Sequence, residues 1–391
     1  MGTVELRAER VAAGGDAIAR GDDGRVVFVD GALPGETVLA EVVEERKGFR
    51  KAIAVEVVEA SPDRVAPPCP HLARGCGGCG WQHVDLAAQR RLKRDIVVDA
   101  LRRIGRLDDP VVEEGPALPA DGHRTTVRLA VAGGRPGFRR HRSHEVVEVG
   151  SCLVAHPLLV DLLRSSSFGH AEEAALRCGA RTGERLVLAS PSAEGVEVPD
   201  GVVLAGDDDL DAGHRAWYHE EAAGRRWRIS ARSFFQTRPD GAEALVDAVA
   251  AAGSDAPPGR FVDAYGGVGL FAGAVGGGRP TTLVERSASS VADAHVNVPE
   301  AKVLRLDVAR WRPSRAALVV ADPARTGLGR DAAAVLAATG TTRLVLVSCD
   351  PASLGRDAAL LAGHGFRHDG STLVELFPHT PHVEVVTRFI R

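Results

Sequence analysis

Arg260-Phe261-Val262-Asp263-Ala264-Tyr265-Gly266-Gly267-Val268-Gly269 decides the fold. A short apolar run ends in an acid and then in glycines, the form of a strand that turns sharply into a helix. A second apolar run, Thr281 to Glu285, closes on another acid 22 residues after Asp263. Strand-like runs at Arg260 to Tyr265, Thr281 to Glu285, Lys302 to Leu306, Ala316 to Ala321 and Thr342 to Ser348 alternate with helical stretches, and a helix from Gly241 to Ala252 precedes them. Such alternation predicts a doubly wound, mainly parallel sheet whose ligands bind beyond the carboxyl ends of the strands. Two last strands, Ser371 to Phe377 and Val383 to Phe389, lie too close for a helical crossover and are expected to pair antiparallel.

The chemistry should therefore sit at those strand ends. Glycines at 266, 267 and 269 let a ligand approach the backbone, and Glu285 can accept from both hydroxyls of a ribose. The spacing is not G-x-G-x-x-G, which favours a nucleoside without a pyrophosphate. Nicotinamide and S-adenosylmethionine enzymes both use such turns, and a tight turn with no ligand is the plainer alternative. The fourth strand runs into Asp322-Pro323-Ala324-Arg325-Thr326-Gly327, where Asp322 either faces the cleft or caps the next helix. The fifth runs into Ser348-Cys349-Asp350-Pro351, where Cys349 is either a small buried hydrophobe or a nucleophile. Carbon 5 of a pyrimidine is a poor nucleophile, so methylating it requires a thiolate to add at carbon 6. A base must then remove the carbon 5 proton. Phe377-Pro378-His379-Thr380-Pro381-His382-Val383-Glu384 offers one, although its histidines also read as loop residues and Glu384 as an exposed strand residue.

Upstream, five short alternating runs, Val4 to Ala8, Asp16 to Arg20, Arg25 to Val29, Thr37 to Val43 and Ile53 to Val58, predict a small closed barrel of the oligonucleotide-binding type. A proline-rich linker, Ser61 to Pro68, leads into Cys69, Cys76 and Cys79, with Cys152 further on. Four thiolates suit a metal centre. From Asp85 to Leu107, Leu92, Ile96, Val97, Ala100, Leu101 and Ile104 recur at helical spacing, with Arg90, Arg91, Lys93, Arg94, Arg102 and Arg103 between them. That cationic face is either an RNA contact or a solvated surface. Between Asp121 and Glu145 stand Arg124, Arg128, Arg135, Arg139, Arg140 and Arg142 with no acid but those two. The region from about 120 to 230 reads as irregular and β-rich. The chain has 391 residues, enough for two or three domains, and a net charge of -4, which does not announce a nucleic-acid binder. No run of ~18 uncharged apolar residues occurs, so a cytoplasmic protein without a membrane segment is expected. In a reducing compartment the cysteines are expected to bind metal or do chemistry.

Taken in order, DAYGGVG, DPARTG, SCDP and FPHTPHVE resemble the RNA uracil-5-methyltransferases that act on ribosomal or transfer RNA, over nearly the whole chain. The resemblance implies a multidomain α/β protein: a TRAM-like, OB-like RNA-binding barrel (1–58), an iron-sulfur central β-rich domain with a basic RNA-binding surface (59–232), and a Rossmann-like class I methyltransferase sheet (233–391). It implies Cys349 as nucleophile and Glu384 as proton acceptor, with Gln236 (in Phe234-Phe235-Gln236), Tyr265, Glu285, Asp307 and Asp322 binding S-adenosylmethionine. Cys69, Cys76, Cys79 and Cys152 would hold a 4Fe-4S cluster, with zinc as the alternative, and Cys178 is left over as a structural thiol. Leu270, Ala324 and Arg238 depart from the family pattern. The expected product is 5-methyluridine in structured RNA, 23S ribosomal RNA first and transfer-RNA uridine-54 as the alternative. A non-catalytic iron-sulfur RNA-binding protein is the rival of a different class. A monomer is expected, with no DNA partner.

Overall fold

A computed structural model describes residues 3–391. Five strands, β1 (Thr3–Val11), β2 (Ala17–Arg20), β3 (Val26–Asp30), β4 (Thr37–Glu45) and β5 (Phe49–Glu59), close a barrel in the order β1-β2-β3-β5-β4. Alternation along them buries Leu6, Ala8, Ala17, Ala19, Val27, Val29, Val38 and Ala40 inside. The linker is fixed to the barrel by an ion pair. Glu36, fully buried, takes Nε (2.5 Å) and Nη2 (2.7 Å) of Arg64 on its two carboxylate oxygens and accepts from the Leu33 and Ser61 amides as well. A buried carboxylate is tolerated when its lone pairs are this fully used.

The expected amphipathic helix runs Leu86–Arg103 and is capped by Asp85, whose carboxylate accepts from the Ala87 (2.9 Å) and Ala88 (3.3 Å) amides. Its buried stripe includes Leu92, Ile96, Val97, Ala100 and Leu101. Lys93 corrects the sequence reading: it lies on the buried stripe, not the outer face, with its ammonium on Glu375 at 2.6 Å. The arginines that do face outward are already paired, Arg90 and Arg94 with Glu114, Arg91 with Asp63, Arg102 with Asp109 and Arg103 with Asp99. In the free protein each of these arginines therefore stands beside an acid.

After this helix a short strand, β6 (Val112–Glu114), is laid down. A six-stranded sheet follows from β7 (Thr126–Ala132), β8 (Arg135–Arg139), β9 (Val146–Glu148), β10 (Glu173–Cys178), β11 (Arg185–Ser190) and β12 (Val202–Gly206), in the order β12-β11-β10-β7-β8-β9. A hairpin, β13 (Trp217–Ala222) and β14 (Arg225–Ser230), leads to the helix Pro239–Ala252. The C-terminal sheet contains β15 (Phe261–Ala264), β16 (Thr281–Glu285), β17 (Lys302–Arg305), β18 (Leu318–Ala321), β19 (Arg343–Ser348), β20 (Arg367–Leu373) and β21 (Val385–Ile390). Its order is β17-β16-β15-β18-β19-β21-β20-β6. Strands β15 to β19 are parallel, whereas β21 runs antiparallel to both β19 and β20.

The outermost strand is β6, parallel to β20. The segment that the sequence placed in the middle of the molecule therefore belongs in space to the C-terminal sheet. The reason is burial: Val97 and Leu101 join Val262, Ala264, Val319, Leu344 and Leu354 in one apolar layer. Alternate residues of the same strands, Phe261, Leu283, Val320, Val345 and Val347, face a second layer with Leu245 and Val249 on the other side. A sheet buried on both faces explains the continuous apolar runs in the sequence. Among the described residues no helix is long and apolar enough to cross a membrane.

Candidate active site

Strand order reverses between β15 and β18, and the residues picked from the sequence collect beyond the carboxyl ends of these strands. Tyr265 turns the chain at the end of β15 with φ +63°, a conformation that costs a non-glycine residue about 1–2 kcal/mol. The turn is pinned because the amides of Tyr265 and Gly266 both reach the Val284 carbonyl, at 2.8 and 3.2 Å. Each glycine has its own reason. A Cβ on Gly266 would lie 2.5 Å from Leu283 Cγ, whereas one on Gly267 would meet nothing, since that residue borders open space. The Gly267 amide instead donates to Glu285 at 3.1 Å, and the Ser287 amide donates to the other Glu285 oxygen at 2.7 Å.

Asp263, Glu285, Asp307 and Asp322 form no ion pair among the described residues. Asp263 is wholly buried, with one oxygen on the Ala272 amide (2.7 Å) and the other on nothing. Burial first, then the charges of Asp322 and Glu285, push its pKa up to about 8. Asp322 is raised as well, by burial. A crowd of carboxylates without a counter-ion, beside an open glycine turn, fits a cationic ligand. Gln236 is buried, and its amide makes no hydrogen bond within the described residues. Asp307 accepts from the Ala309 amide at 2.9 Å, and its charge is felt at Tyr265.

Cys349 stands half-buried at the end of β19 and Glu384 is buried just before β21, so antiparallel pairing of these strands brings thiol and carboxylate to the same edge. The Cys349 thiol is pushed up to about 12, by burial and then by the charges of Glu384 and Asp322, with Arg325 opposing. Glu384 is raised well above the usual carboxylate range by burial and by Asp322. Arg325, exposed in DPARTG, is the cation felt by both, and it was not singled out from the sequence. Its loop is held by the helix after SCDP: Ser353 Oγ donates to the Arg325 carbonyl at 2.9 Å, while Asp357 accepts from the Leu328 and Gly329 amides. Of the two loop histidines, His379 is buried and points away to Asp121 (3.3 Å), whereas His382 is exposed.

With this geometry in place, comparison with known proteins is decisive. A TRAM domain model matches residues 3–55. An RNA methyltransferase of Streptomyces avermitilis is 35% identical over 98% of this chain and 96% of its own length. A 23S rRNA (uracil(1939)-C(5))-methyltransferase of Chromohalobacter salexigens is 33% identical over 97% of this chain and 87% of its own. The chain belongs to the TRAM-domain RNA uracil-C5-methyltransferases. The crystal structure of Pyrococcus abyssi tRNA (uracil-54, C5)-methyltransferase with S-adenosyl-L-homocysteine covers 99% of this chain and 100% of its own at a TM-score of 0.76, and at 23% identity it attests the shared fold.

Two departures from the family pattern have a structural account in this methyltransferase. Leu270 is buried in the apolar layer beside Leu283 and Val298, so it offers the cleft nothing. Arg238 is buried and bidentate on Asp240, both bonds at 2.6 Å, and donates to the Pro119 carbonyl at 2.8 Å. It ties the segment before the middle sheet to the helix Pro239–Ala252. The third, Ala324, is exposed, and nothing in the structure explains it.

The four clustered cysteines line one small pocket together with His71, Gln82, Arg124 and Ser151. Their loop is sewn to the strand region around Arg139: the Gly77 amide reaches the Arg139 carbonyl at 3.0 Å, and a Cβ on Gly77 would strike the His141 backbone at 2.9 Å. Burial raises the Cys76 thiol and pushes that of Cys79 up to about 11, and the neighbouring thiols add to both shifts. Among the described residues no three His, Cys, Asp or Glu side chains converge tightly enough to hold a metal ion. Cys178 is fully buried in the core of the middle sheet, apart from this set.

Proposed function

We propose that this methyltransferase forms 5-methyluridine in a structured RNA, and that the RNA is large-subunit ribosomal RNA. The observation that carries the reading is the meeting of Cys349 and Glu384 at one edge of the sheet, beside acids that lack a counter-ion. Bound S-adenosylmethionine would supply a methyl group on a cationic sulfonium, held by Gln236, Tyr265, Glu285, Asp307 and Asp322. The residues of the chain do the rest. A uridine unstacked from its RNA meets the Cys349 sulfur, which, its proton having passed to water, attacks carbon 6 as the thiolate, so that the carbon 5–carbon 6 π electrons make carbon 5 the nucleophile. After carbon 5 is methylated, Glu384 takes its proton, the sulfur–carbon 6 bond breaks and the thiolate is restored. The raised pKa of Glu384 suits this role, because the carboxylate it leaves when ionised is a stronger base than an exposed one. The identity of the RNA is supported by the ribosomal relatives, which span nearly the whole chain.

The test is nucleoside mass spectrometry of ribosomal and transfer RNA from cells carrying wild type, Cys349→Ala or Glu384→Gln. Loss of 5-methyluridine from the ribosomal fraction in both variants is expected, with a denaturation-resistant protein–RNA adduct in Glu384→Gln alone. Wild-type levels with Cys349→Ala would overturn the mechanism, and loss confined to transfer RNA would overturn the substrate.

We further propose that Cys69, Cys76, Cys79 and Cys152 hold a 4Fe-4S cluster. Four thiols around one pocket fit four irons, each taking a single thiolate. Zinc, which accepts the same four thiolates, is the alternative. Metal and acid-labile sulfide analysis of anaerobically purified protein should give iron and sulfide in equal amounts, lost in Cys152→Ser. One zinc per chain and no sulfide would reject the cluster.

A further inference from the structure

Three pieces of chain, each about 280 or more residues away in sequence, close on the segment Val374–Glu384, which leaves β20 and returns to β21. Its neck is held by one backbone bond, Val374 N–H to the Glu384 carbonyl at 2.8 Å. The helix Leu86–Arg103 supplies two anchors. Lys93 donates to Glu375 (2.6 Å) and to the Phe377 carbonyl (2.9 Å), and Gln89 Oε1 accepts from the His379 amide at 2.7 Å. The same Gln89 amide donates to the carbonyls of Trp81 (3.1 Å) and Val84 (2.8 Å). Trp81, two residues past Cys79, donates its backbone N–H to the His379 carbonyl at 2.9 Å and its indole N–H to the Gly15 carbonyl of the barrel at 3.2 Å. The barrel touches the segment directly as well: a Cβ on Gly15 would lie 2.7 Å from Pro381 Cβ and 2.8 Å from the Trp81 indole nitrogen.

The network is expensive for a mere packing device. Lys93 and Gln89 are almost fully buried, and one Glu375 oxygen has no partner. Replacing a buried ion pair by apolar residues of similar size is often neutral or stabilising, so the pair marks a need for geometry. His379 confirms the constraint with φ +64° on a bulky residue.

We propose that Gln89 and Lys93 are positioning residues for Glu384, fixing the Val374–Glu384 segment so that seating of the barrel and of the Trp81 turn sets where the carboxylate stands. The proposal rests on Glu384 being the proton acceptor. It separates positioning from stability, because a displaced base leaves cofactor and RNA binding intact but delays release of the adduct.

The experiment compares the double variant Lys93→Met/Glu375→Met, the single variant Gln89→Leu and the reference Glu384→Gln in full-length protein. Melting temperature, KM for RNA, kcat and the fraction of denaturation-resistant adduct are measured. The double variant should melt near wild type, keep KM within about two-fold, lose about ten- to a hundred-fold in kcat and accumulate adduct. Gln89→Leu should behave alike and decides the matter if the double variant fails to fold. Wild-type kcat without adduct, or a loss of kcat without adduct, overturns the positioning role. Absence of adduct in Glu384→Gln overturns the assignment of the base and the proposal with it.

Discussion

Asp263 has one oxygen on the Ala272 amide and the other on nothing, and its raised pKa makes it a stability group of unusual sign. Its folded-state pKa lies above the unfolded value, so its contribution is full below about 4 and is lost as pH rises through about 8. The ligand-free protein should therefore lose stability between pH 5 and pH 9, on the order of a few kcal/mol. Asp263→Asn, which keeps the shape, should reduce that slope in thermal melts across pH, leaving the part due to Asp322 and Glu384, which burial also raises; an unchanged slope would exonerate this residue. Cys349 gives a second prediction. With its thiol near 12, alkylation of the ligand-free protein, followed by peptide mass spectrometry, should be slow at pH 7 and still climbing at pH 10. A midpoint at about pH 8.5 with a plateau by about pH 10 would mean an ordinary thiol.

Elements differ in how well the sequence announces them. Glu285 ends β16 as expected because the apolar run stops where the sheet stops. The barrel strands and the helix Leu86–Arg103 are likewise legible from their periods of 2 and 3.6. The strand expected at Ser371 to Phe377 is instead Arg367–Leu373. Its alternation continues past the true end because Val374 and Leu376 are buried against other elements. Nothing local marks Val112–Glu114 as the edge of a sheet formed mainly by residues beyond 260. At the site, strand ends and motifs located Cys349, Glu384 and the acids. Arg325 and the Gln89–Lys93 anchors escaped, since they are defined by partners up to 290 positions away. The paired outer arginines of the Leu86–Arg103 helix lead to a prediction at this scale. Arg91→Gln with Arg102→Gln should leave RNA affinity within about two-fold by filter binding, because exposed ion pairs already occupy them.

For the whole molecule, a net charge of -4 has to coexist with an RNA partner, so the binding surface must be local. Of the six arginines between 124 and 142, Arg135, Arg139, Arg140 and Arg142 are paired with acids, whereas Arg124 and the exposed Arg128 form no ion pair among the described residues. Arg74, exposed beside the cysteine loop, shares a groove with Arg135 and Arg140 and forms no ion pair among the described residues either. Arg74→Gln with Arg128→Gln should weaken RNA binding at low salt and lower the slope of log K against log salt by about 1 per arginine. An unchanged slope would move the phosphate track elsewhere.

The edge strand β6 also sets a timetable. It emerges from the ribosome about 250 residues before its partner β20, a gap of roughly 12–50 s at ordinary rates of synthesis. For that interval β6 has no partner strand, although Ala88, Leu92 and Ile96 already have Val11, Leu33, Trp81 and Val84 to pack against. That edge is thus expected to stay unpaired until β20 and β21 are made, and stop codons even slightly upstream of Val385 should yield insoluble product rather than a truncated enzyme.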